Sequence, residues 1–208
     1  MADLETTRRA LHAVAELLVA GPQYEMSGTI KLRVSPGGFG TVAEPDARVA
    51  GTDLLVGSAS VPLDGYTVAE VGARAGVHPR PLSDVFSGGC ALTAEHLLAV
   101  DVGWAAYLAE AFRVGDEALA RFAPDQPRVL WPEHFDLGIT LHEVNFGLSP
   151  GDSYLAIPYA YVGPWSPGDF RGAFWDAPFG ATRPLDELGS VDGVVAFFDE
   201  GRHLTAQR

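Results

Sequence analysis

The clearest hydrophobic patterning in the chain lies between Arg128 and Trp165. From Phe135 to Leu141 the odd positions are apolar (Phe135, Leu137, Ile139, Leu141), and the even ones are His134, Asp136, Gly138, Thr140 and His142. Alternation of period two predicts a half-buried strand, apolar side inward and polar side toward solvent or a cavity. The apolar set then changes parity, to Val144, Phe146 and Leu148, which predicts a bulge near His142-Glu143. Ser149-Pro150-Gly151-Asp152 suits a type II turn, and Tyr154 to Val162 reads as the returning strand. The expected unit is a hairpin over 128–165. Counting outward from its turn sets His142 near Tyr159, Thr140 near Tyr161 and Asp136 near Trp165; the expected bulge would shift this by one residue and turn the tyrosines to the other side.

Residues 4–20 carry a helical stripe that Gly21-Pro22 is expected to end. Ser27 to Val34 alternates as a strand, Phe39 to Val42 is short, and Arg48 to Ser60 suits a strand pair or one bent strand. Thr67-Val68-Ala69-Glu70 has the capping-box pattern and opens a helix to about Ala75. The longest helical pattern runs over 91–122, with a break expected at Gly115. An aromatic segment, Phe170 to Trp175, precedes a closing helix over 191–203. These elements predict a single α+β domain. Its antiparallel sheet, with the 128–165 hairpin central, is expected to be covered on one face by the helices at 4–20, 66–75 and 91–122.

Composition narrows the function classes. The 208 residues include 27 acids against 14 Lys and Arg, a formal charge of −13. Such a balance repels phosphate backbones and anionic bilayers, so neither nucleic acid nor membrane is an expected partner. Thr67 to Gly89 looks like the helix-turn-helix of the lactose-repressor family, but Pro81 would fall inside the recognition helix and Asp84 would face DNA. The single cysteine, Cys90, excludes an intrachain disulfide. The first twenty residues set acids before their basic pair and place His12 and Glu16 in the apolar part, unlike a secretory signal. A cytoplasmic location is therefore expected.

His134 and Asp136, two apart on the expected strand, would stand about 6–7 Å apart on one face. A carboxylate beside an imidazole favours its protonated form and orients it for general acid–base work. A metal would need a third ligand, so none is expected. Trp131, Tyr159, Tyr161, Trp165 and Trp175 are the candidate ligand-binding walls. Cys90 reads as a small hydrophobe, since six helical residues would turn His96 well away from it. No phosphate loop, zinc pair or nucleophile elbow is present, and no cofactor is named.

PLDGYTVAE, the long helix ending near Phe112–Phe122, HFDLGITL and PYAYVGPW together resemble a family of bacterial proteins catalogued as a domain of unknown function. The resemblance covers most of the chain and implies the same α+β arrangement. That family typically has a Trp/His-rich loop after its first helix, where this chain has GPQYEM over Gly21 to Met26. No activity comes with the family. The expectation is a small-molecule-binding protein of unspecified ligand, or an acid–base enzyme using His134 and Asp136. The alternative is a non-catalytic interaction protein that forms a homodimer through its aromatic carboxy-terminal segment.

Overall fold

The computed structural model describes residues 2–207. The expected α+β class with antiparallel strands is what the structure has. The chain divides into two compact units, one of residues 1–110 and 130–135, the other of residues 111–129 and 136–208.

In the first unit, α1 (Leu4–Val14) starts at Asp3, whose side chain accepts from the Thr6 N–H at 2.8 Å. It passes into a π-helical stretch, Ala15–Ala20, and then α2 (Gly21–Ser27), which Gly28 closes in the left-handed conformation. Gly21-Pro22 therefore does not end the helical path. Pro22 stands in the first turn of α2, where a missing N–H is tolerated, and the wider π turn carries the chain up to it. Fully buried Gln23 then ties the next segments down. Its amide donates to the Thr29 and Lys31 carbonyls, both at 2.9 Å, and accepts from the Val42 and Ala43 N–H groups at 2.6 and 2.9 Å.

A meander follows: β1 (Leu32–Ser35), β2 (Gly38–Thr41), β3 (Ala47–Ala50), β4 (Asp53–Val56) and β5 (Ala59–Pro62), each antiparallel to the next. Leu32 of β1 also pairs with Leu130 of β6 (Val129–Trp131). Helix α3 (Val68–Ala75) has the expected capping box, with Thr67 and Glu70 bonding reciprocally. The expected 91–122 helix is shorter. Helix α4 spans Val102–Phe122, and Asp101 accepts from the Gly103 and Trp104 N–H groups at its start. Residues 94–98 instead form a turn and a short bridge, Leu97 against Thr67, at the start of α3, where the Ala94 and His96 carbonyls accept from Ala69 and Val68, two donors that a helix start leaves without internal partners.

The second unit holds β7 (Asp136–Leu141), β8 (Val144–Ser149), β9 (Tyr159–Pro164) and β10 (Ala181–Pro184), antiparallel in that order, with α5 (Leu185–Leu188) and α6 (Val191–Ala206). Phe122, Phe146 and Phe198 meet at ring distances of 4.8 to 5.9 Å and form its core. Gly115 does not break α4. A Cβ there would stand 2.9 Å from the Leu148 Cβ, so glycine allows the helix to lie close on the strand.

The hairpin is also placed differently. Ser149–Asp152 does lie between a strand and its antiparallel return, but it only opens a longer loop over 150–158, and β8 pairs with β9 in another register, Ser149 against Tyr159 and Val144 against Pro164. The chain reverses at His142-Glu143, where a bulge was expected. Both residues have positive φ, 50° and 63°, and Leu141 pairs directly with Val144, a two-residue hairpin turn.

Candidate functional site

The tight turn decides which side chains share a face. Thr140 pairs with Asn145 and Gly138 with Gly147, then Asn145 with Gly163, Gly147 with Tyr161 and Ser149 with Tyr159. One face therefore carries Leu137, Ile139, Phe146, Leu148, Ala160 and Val162, all buried in the apolar core. The other carries Asp136, Thr140, Asn145, Ser149, Tyr159 and Tyr161 over a floor of glycines. This polar face is the candidate site.

Its inner end is built on Tyr161, whose hydroxyl donates a short hydrogen bond to Asp136 Oδ2. The ring reaches from β9 to β7 by lying across β8, which only glycine permits. A Cβ on Gly147 would stand 2.4 Å from the Tyr161 hydroxyl, and one on Gly138 2.9 Å from it. Enclosure of the hydroxyl, and then the charge of Asp136, raise the phenol pKa well above its ordinary value, so Tyr161 stays a donor. Tyr159 is similarly held. Its hydroxyl donates to Asp152 Oδ2 at 2.5 Å, and burial followed by that carboxylate raises its pKa. Asp152 Oδ1 also accepts from the Tyr154 and Leu155 N–H groups at 2.8 and 3.1 Å, fixing the loop beside Tyr159.

The outer end is open. Trp165 is 63% exposed, yet its backbone N–H donates to the Glu143 carbonyl at 2.9 Å and its indole N–H to Asn145 Oδ1 at 3.3 Å. The exposed Thr140 hydroxyl donates to the same Asn145 oxygen at 2.8 Å. An indole N–H can only donate, so the amide oxygen faces it, and neither Thr140 nor Trp165 uses the two N–H donors of Asn145 Nδ2.

The expected site residues divide accordingly. Asp136 and Tyr161 are bonded to each other, and Tyr159 and Trp165 adjoin the same face. His134 does not share a strand face with Asp136. The strand begins only at Asp136, Phe135 turns the chain with φ of 54°, and His134 is exposed in the preceding turn. Trp131 belongs to the first unit, with Lys31 Nζ 5.9 Å from its ring centre. Trp175 packs on Phe170 and Phe174, at 4.7 and 4.9 Å, and Phe174 on Phe197 at 5.3 Å. Sequence reasoning missed Asn145 as the hub and the glycines as its floor. Gly138 and Gly147, inside strands, were the available signal.

In the first unit, Cys90 donates its backbone N–H to the buried Glu16 at 2.7 Å, and burial pushes its thiol up to about 12, far from a thiolate nucleophile. Among the described residues no group of three His, Cys, Asp or Glu side chains is placed to hold a metal. No helix among them is long and apolar enough to cross a membrane. A cavity of about 150 Å³ opens on the apolar side of the second unit, lined by Leu141, His142, Phe146, Arg202, Thr205 and Ala206, none of them an expected site residue. Comparison with protein-family models, curated proteins and solved structures finds no match to this chain.

Proposed function

We propose that this chain is a cytoplasmic small-molecule-binding protein of the bacterial family that its motifs resemble, and that it binds its ligand on the polar face of β7, β8 and β9. The observation that carries this reading is the convergence of Thr140 and Trp165 on one oxygen of Asn145, beside the Tyr161–Asp136 pair. Each of these groups is held by a neighbour before any ligand arrives, which lowers the ordering cost of binding. The reading is one of binding more than of acid–base catalysis. Asp136 is already engaged by a phenol that stays protonated, and His134 stands in solvent outside the strand. The formal charge of −13 supports a ligand other than nucleic acid.

Native mass spectrometry of the purified protein beside its denatured mass tests this. A retained small molecule, released on denaturation and reduced in occupancy by Asn145→Ala, is the expected result. A homodimer without any retained molecule would favour the interaction reading instead. The aromatic segment offers that reading little, because Phe170, Phe174 and Trp175 pack among themselves and Phe174 is buried.

A further inference from the structure

We infer that the ligand class at the outer end of this face is a neutral sugar ring, stacked on Trp165 and hydrogen-bonded by Asn145 and Thr140. The inference rests on the binding reading above and gives it a chemistry. Three features of the trio select the ligand. The first is the fixed orientation of Asn145. With Oδ1 taken by Thr140 and Trp165, the amide keeps two N–H donors that neither of them uses and needs an acceptor oxygen. The second is Thr140, whose hydroxyl proton is committed to Asn145, leaving its oxygen lone pairs to accept from the ligand. A partner must therefore both accept and donate within a few ångströms, which adjacent sugar hydroxyls do.

The third feature is the indole. An exposed tryptophan is usually free to turn, but Trp165 is pinned twice, by its backbone to Glu143 and by its ring N–H to Asn145. A fixed, exposed ring face matches the C–H face of a sugar, whose weakly polar hydrogens point at the negative π surface. Charge excludes the nearest rivals. Glu143 at the adjoining turn and the acidic balance of the chain repel anions such as phosphorylated sugars. An alkylammonium ion would suit the indole but could not accept from the Asn145 amide.

Calorimetric titration of the full chain with neutral gluco-, xylo- and N-acetylglucosamine oligosaccharides tests the assignment, read beside native mass spectrometry of the same preparation. Saturable binding of at least one series is expected. Trp165→Ala should weaken it at least about tenfold, as for an aromatic anchor, and Asn145→Ala several-fold. Trp165→Phe, which keeps a ring but loses the N–H, should fall between wild type and Trp165→Ala, and Trp104→Phe should leave binding unchanged. Sugar binding unaffected by Trp165→Ala overturns the site. No sugar binding, with a non-sugar molecule retained whose occupancy drops in Trp165→Ala, overturns the ligand class while the binding face stands. Neither sugar binding nor any retained molecule overturns both.

Discussion

At residue scale, His12 shows what enclosure does to a titratable ring. Its imidazole stacks on Phe135 at 5.3 Å, and Nε2 lies 2.7 Å from the Pro132 carbonyl oxygen. Burial, the largest influence, lowers its pKa below the ordinary 6.5; Pro132 and Glu16 act in the opposite direction, while His134 and Arg8 lower it further. The unfolded chain therefore binds more protons here than the folded one as pH falls below about 6.5. His12 contributes its stability in full above that value and loses it progressively toward the lowered folded pKa. Urea midpoints should drop less between pH 7.5 and 5.5 in His12→Gln than in wild type, and an equal drop would show that His12 is not the group responsible. Gly147 gives a second expectation at this scale. A Cβ there would stand 2.3 Å from the Leu137 carbonyl oxygen as well as 2.4 Å from the Tyr161 hydroxyl. Gly147→Ala should cost about 3 kcal/mol in chemical denaturation. Removing the phenol as well, in Gly147→Ala/Tyr161→Ala, should not restore stability, because the backbone oxygen remains in place. Full rescue would mean that the strands part easily, and the flat-lying Tyr161 would lose its structural reason.

At element scale, the β7–β8 turn is where the sequence was hardest to read. Two-residue hairpins favour Asn-Gly or Asp-Gly because both central residues take positive φ, and His142-Glu143 carries neither signal. A parity change with no turn signature resembles a bulge, and Ser-Pro-Gly-Asp a few residues later resembles the true turn. The polar face kept Asp136 and Thr140 but not His134, which lies in the turn before β7. The two-residue turn shifts parity once, and β8 then carries that parity across to β9, so Tyr161 still shares a side with Thr140 and Asp136. The neighbour relations were wrong, since Tyr161 reaches Asp136 over an intervening strand that has no side chain at Gly147. The capping box at Thr67 was legible because its determinants are local. The start of α4 was not, because residues 94–98 are drawn from a helical pattern into pairing with α3. The turn also gives a prediction. Left-handed backbone costs about 1–2 kcal/mol for an ordinary residue and less for asparagine or glycine. Replacing the exposed pair by His142→Asn with Glu143→Gly should raise stability by about 1–2 kcal/mol in urea denaturation while keeping the Glu143 carbonyl bond to Trp165. A loss of stability would show that the two side chains hold the turn themselves.

At the scale of the whole molecule, the α+β class was legible, because period is summed over many residues and survives local errors of register. The charge has a thermodynamic consequence that works against the ion pairs. Arg80 bonds both oxygens of Asp84, at 3.0 and 2.9 Å, Arg121 bridges Glu117 and Asp192, and Arg128 reaches Asp116 at 2.8 Å. Every one of these pairs keeps some solvent exposure, from 19% at the Arg80 side chain to 88% at Asp192, so each is worth about 0.2–1 kcal/mol and weakens as salt screens it. Opposing them is the self-repulsion of 27 acids against 14 basic residues, which salt also weakens and which favours unfolding. Each cation offsets only one unit of negative charge however many carboxylates it touches, so the net −13 remains whatever the pairing and repulsion is the larger effect. Raising sodium chloride from about 10 mM to about 300 mM, across which the screening length falls from about 30 Å to below 10 Å, should therefore raise the thermal midpoint by a few degrees. Arg121→Gln should enlarge that rise, since it removes attraction and adds to the net negative charge. A midpoint that falls with salt would mean that the arginine bridges outweigh the repulsion, and Arg121→Gln would then be expected to reduce the fall.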